Sequence, residues 1–130
     1  MKYIPLIGRT LFSLIFLMTI MGHFSSGTAT YAASAGVPMA SVLVPLSGII
    51  AVLGALSIIL GFKAKMGAWL IVLFLIPVTF MMHKFWTITD PMAMQMQMSV
   101  FMKNLSMLGG ALMITYFGAG PVSIDGIKKS

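Results

Sequence analysis

The chain has 130 residues, 59% of them hydrophobic and only 8% charged, with a mean hydropathy of +1.05. A soluble domain carries about 25% charged residues, so this composition belongs to a membrane protein. The net charge of +6 is scattered over short segments between apolar runs, which excludes a nucleic-acid face, and the absence of cysteine excludes a disulfide relay, a thiolate metal site and a cysteine nucleophile.

A spanning helix needs about 20 mostly apolar residues. Four of them with short connections fill this chain, so the sequence predicts an all-α membrane protein, a four-transmembrane-helix bundle forming one domain over 1–130. The first span covers about 4–23. Pro5 suits the first helical turn, Arg9 is expected to snorkel back to the near interface, and His23 closes the far end. Lys2 and Arg9, the run LFSLIFLMTIM and Ala33-Ser34-Ala35 also have the layout of a signal peptide, but the helix is read as a permanent span. In the loop that follows, Thr28 either caps a short interfacial helix over 29–35, anchored by Tyr31, or the loop is plainly polar; both readings stay open.

The second span covers about 39–61. Ser47, Ala51 and Ala55 form a stripe of small residues that lets another helix approach closely, and Pro45 predicts a bend. A connector with Lys63 and Lys65 leads to the third span, about 66–83, with Trp69 and Trp86 at opposite aromatic belts. Asp90-Pro91 reads as an N-cap followed by proline at the first helical position. The fourth helix then runs over 91–117, roughly 40 Å against a hydrocarbon core of about 30 Å. Lys2, Arg9, Lys63, Lys65, Lys128 and Lys129 fall on one side of this arrangement and only Lys84 in a loop on the other, so both termini are expected in the cytoplasm.

The polar residues concentrate between His83 and Asn104, and an ionisable group within a span marks function by default. In the fourth helix Gln95, Ser99, Lys103, Ser106 and Gly110 share one stripe, opposite Met98, Phe101, Leu105, Leu108 and Leu112. This predicts that Lys103 points into the bundle, in an outer pocket shared with His23, His83, Asp90, Gln97 and Asn104. A purely structural role for each, as an ion pair, a carbonyl donor or an interfacial histidine, is the competing reading. Met92, Met94, Met96 and Met98 invite copper, but residues two apart on a helix diverge and no Cys or close His pair supports a site, so no metal is expected. No phosphate loop, nucleophile elbow, HExxH motif or paired carboxylate is present, which makes hydrolysis improbable.

The chain resembles the DoxX family of small four-helix bacterial membrane proteins. The resemblance rests on Gly8-Arg9, the run from Gly54 to Gly61, His83-Lys-Phe-Trp86, Phe101 to Gly110 and the terminal Gly-Pro-Val-Ser-Ile-Asp. Many DoxX relatives carry a glutamate where Ile50 and Ala51 stand here. The resemblance implies a bacterial inner-membrane protein tied to redox work, as in a thiosulfate–quinone oxidoreductase subunit. The expected function is therefore a redox-associated subunit that holds a quinone-type or small anionic ligand. Lys103, His83 and Asn104 would donate to its oxygens and Trp86 would lie against its ring. A non-catalytic scaffold for a membrane partner or a second copy, and a small-solute or proton pathway, are the alternatives. Lipid is an expected partner in every case.

Overall fold

A computed structural model describes residues 1–19 and 26–129. The helices are α1 (Ile4–Met18), α2 (Ser26–Ser34), α3 (Ala40–Leu60), α4 (Ala64–Met82), α5 (Pro91–Phe117) and the short α6 (Ile124–Lys129). A 3-10 turn, Phe85–Thr87, extends α4. Three stretches, Ala40–Leu60, Ala64–Thr87 and Pro91–Phe117, are long and apolar enough to cross a membrane. α1 is apolar but has 15 residues, and the rest of the expected first span, including His23, lies outside the described residues. The fourth expected helix is found at its predicted bounds, with Asp90 as N-cap; its carboxylate accepts from the Ala93 N–H at 2.9 Å.

The helices pack in sequence order, α1 on α3, α3 on α4 and α4 on α5, with α2 across one end of α3. The core lies where small residues let these helices close in. Ala51, Ala55 and Ala68 are fully buried together with Ile58, Ile71 and Leu75. α3 and α4 come closest at Gly54 and Gly67, where a Cβ on Gly54 would stand 2.8 Å from the Gly67 carbonyl oxygen. Ala51 and Ala55 of the predicted stripe therefore sit in the core, while Ser47 is only half-buried.

The end of the bundle that carries Lys63 is closed by hydrogen bonds from three parts of the chain. α3 stops at Gly61, whose φ of +67° suits glycine, and the Phe62 N–H reaches back to the Ser57 carbonyl at 3.1 Å. Arg9 does not snorkel. It is buried, 4% exposed, and donates to the carbonyls of Ile58 and Ile59 at 3.0 Å and of Val122 at 2.7 Å. The C-terminal carbonyls of a helix have no partners within it, so a guanidinium lying across them finds more acceptors than the interface offers. Asp125 completes the arrangement by accepting from the Lys63 and Ala64 N–H groups at 2.8 and 2.9 Å, at the N-terminus of α4.

Candidate functional site

At the opposite end, near His83, the helices part around an apolar cavity of about 910 Å³. α1 contributes Ile15 and Met18, α3 Val44 and Ile50, and α4 Phe74 and Val78. Val100, Asn104 and Met107 come from α5, and Thr28, Val37 and Pro38 from α2 and the segment after it. Its size is that of a site for a small organic molecule or cofactor, and its wall is almost wholly hydrocarbon with a few polar groups, as such sites are.

Two of those polar groups were expected. Asn104 lines the cavity at 7% exposure, and its side-chain amide makes no hydrogen bond among the described residues. An amide carries two donors and an acceptor, and leaving them unpaired in an apolar setting costs about 1–3 kcal/mol per group. His83 ends α4 half-buried at the cavity, and its Nδ1 lies 2.8 Å from Gln97 Oε1. An amide oxygen only accepts, so Nδ1 donates to Gln97, and in a neutral ring Nε2 would be left as an acceptor. Two other polar groups at the wall are already engaged: Ser47 donates to the Val44 carbonyl at 2.6 Å and Thr19 to that of Phe16 at 3.1 Å.

The other expected site residues are placed elsewhere. Lys103 is exposed and makes no hydrogen bond or ion pair among the described residues, so it does not point into the bundle. Most of the predicted polar stripe turns outward: Gln95, Ser99 and Ser106 are exposed, while Gly110 lies against the Phe12 ring and Asn104 and Ala111 are buried. The opposite stripe is mixed: Leu108 packs on the core, Phe101 is half-buried and meets Phe80 edge-on at 5.5 Å and Phe85 at 5.3 Å, and Met98 and Leu112 are exposed. The physical reason is that this 27-residue helix is longer than the hydrocarbon core, so polar groups in its N-terminal half escape lipid without turning into the bundle. The Cα–Cβ bond of a helical lysine leans toward the helix N-terminus, and its stem can carry the ammonium toward the headgroups at that end. Trp86 is 54% exposed and joins the same aromatic cluster, 5.7 Å from Phe101, outside the cavity wall. Asp90 is exposed at the N-cap, Gln97 reaches the site through His83, and His23 lies outside the described residues.

The roof of the cavity was not foreseen. Tyr31 Oη donates to the Met82 carbonyl at 3.0 Å, and Lys84 Nζ to that of Ala35 at 3.4 Å. Ala32, Ala40 and Val44 form a small buried cluster beneath, with Val37 and Met82 against it. The spacing of Ala32, Val37, Ala40 and Val44 was the available signal, running from the loop left open between helix and coil into the second span. Among the described residues, no group of three or more His, Cys, Asp or Glu could hold a metal ion.

A family model, that of the SURF4 family, matches residues 1–130. The chain belongs to the SURF4 family. It is also 32% identical over 124 residues to the inner membrane protein YphA of Escherichia coli (strain K12), covering 92% of this chain and 86% of that one. No solved structure matches it. The expected DoxX membership is thereby overturned by a match over the full length of the chain. The pieces that suggested it have structural work here: Gly61 ends a helix, Asp125 caps one, and Arg9 joins three segments. This SURF4-family chain is an integral inner-membrane protein; the expectation of redox work came with the DoxX resemblance and has no independent support.

Proposed function

We propose that this SURF4-family protein holds a polar-headed, lipid-soluble ligand in the cavity at its His83 end, with that end facing outward and both termini in the cytoplasm. The observation that carries this reading is the buried, unpaired amide of Asn104 on an otherwise apolar wall. A carbonyl on the ligand head would accept from the Asn104 NH₂, and a hydroxyl would donate to its oxygen or to His83 Nε2. A quinone-type head, with carbonyls that become hydroxyls, meets both requirements. A small anion is the weaker fit, because Lys103 is exposed and Lys84 is spent on the Ala35 carbonyl.

The test is binding of an alkyl-tailed benzoquinone to the purified protein, followed by native mass spectrometry. Asn104→Leu keeps the volume and removes the amide. It should fold and melt at or above the parent temperature, because an unpaired buried polar group is gone, while losing most of the probe. Equal retention by parent and variant would remove Asn104 from the site. No retention by either would favour a scaffold role.

A further inference from the structure

Resting on the ligand-holding reading above, we infer that the occupant is a resident of the bilayer, a neutral amphiphile with one polar head and a long apolar tail, and that it enters sideways from the hydrocarbon layer beneath a roof that stays shut.

The first support is the shape of the cavity. It is open rather than sealed, and its exposed wall residues are large and apolar: Met18 is 78% exposed, Leu73 58% and Leu46 46%. Leu46 is the seventh residue of α3 and Leu73 the tenth of α4, so each lies roughly 9–14 Å along its helix from the nearer end. Both therefore fall within a hydrocarbon core of about 30 Å, not at its aqueous face. An opening framed by such side chains is continuous with acyl chains and presents water with nothing to bond.

The second support is the roof. Where a water-borne ligand would pass, Tyr31 and Lys84 are bonded across the gap to carbonyls of the opposite segment, and Ala32 is fully buried against Ala40 and Val44. Opening it would break both bonds and a packed cluster together. The third support is electrical. The wall offers an amide, an imidazole and the hydroxyls of Thr19, Thr28 and Ser47, and no carboxylate, lysine or arginine among the described residues. A charged head would give up its hydration with no opposite charge to replace it, whereas a neutral head exchanges water for Asn104 and His83 at small cost.

The experiment uses the full-length protein in phosphatidylcholine vesicles and a benzoquinone whose alkyl tail carries a photoreactive diazirine. Uptake is followed by photolabelling against time. Met18→Trp and Leu73→Trp narrow the side opening at exposed positions, where the larger ring is tolerated. Tyr31→Phe cuts one roof bond. The expected result is label on the opening residues, uptake slowed severalfold by at least one tryptophan variant, and an unchanged rate in Tyr31→Phe. If the parent takes up the probe but both tryptophan variants match its rate and Tyr31→Phe runs faster, the ligand passes through the roof and the inference fails while the ligand-holding reading stands. If the parent takes up none, that reading fails first and this one with it. A carboxylate-headed probe of the same tail that displaces the benzoquinone would overturn the neutral-head assignment alone.

Discussion

One helical step of 100° separates the exposed ammonium of Lys103 from the buried amide of Asn104. The two side chains therefore meet opposite environments, and substitutions at them should behave differently. Lys103→Met removes a charge that has no protein partner among the described residues. It should leave the melting temperature within the roughly 0.5 kcal/mol typical of surface changes and leave probe retention intact. A large fall in melting temperature, measured in detergent, would mean that Lys103 is paired with a group the single chain does not display. The sequence marked Asn104 and His83 as site residues, and both line the cavity. It gave Lys103 the wrong face because it treated polarity as an inward signal, a rule that applies to ionisable groups held deep in the bilayer. In a bilayer the surroundings are as apolar as the core, and only packing decides rotation. Packing here runs through Asn104, Ala111 and Leu108, with Phe101 half-buried against Phe80 and Phe85.

At the scale of the element, α3 and α4 are held by the absence of side chains as much as by their presence. Gly54 and Gly67 bring the backbones together, and Ala51 and Ala55 fill the adjoining space at zero exposure. Ala51→Leu adds three carbons where no void receives them and should cost about 1–3 kcal/mol, read as a lowered melting temperature of the solubilised protein. Unchanged melting would place Ala51 against lipid. The second, third and fourth long helices were legible in the sequence to within two residues, because an apolar run bounded by a basic connector, an Asp-Pro cap or a glycine leaves few alternatives. The pairing of Gly54 with Gly67 was not, since spacing along one helix says nothing about which residue of another will face it. The role of Arg9 was hidden for the same reason: its three acceptors are backbone carbonyls 49 to 113 residues away, and carbonyls carry no sequence signal.

For the whole molecule, the N-terminus, the connector after α3 and the C-terminal segment meet at one end, and the roofed cavity lies toward the other. The end where these segments meet also gathers Lys2, Lys63 and Lys65, which is the basis of the proposed orientation with that end in the cytoplasm. A cysteine at Thr87 should react with a membrane-impermeant thiol reagent added to intact cells, and one at Ser130 should not; the reverse labelling would invert the molecule and turn the cavity toward the cytoplasm. The meeting of the two chain ends also has a consequence in time. Arg9 is translated well before its last acceptor, the Val122 carbonyl, which is made 113 residues later. At 5–20 residues per second this is a wait on the order of ten seconds. Until then a cation inserted with the first helix has only the carbonyls of Ile58 and Ile59 to turn to. A chain cut short after Phe117 never finishes that coordination and also lacks the Asp125 cap on α4. Such a chain should insert, yet be cleared by membrane proteases, with a shorter pulse-chase half-life than the parent. The segment after Phe117 thus acts as a seal on the bundle, closed only when Val122 and Asp125 reach their partners.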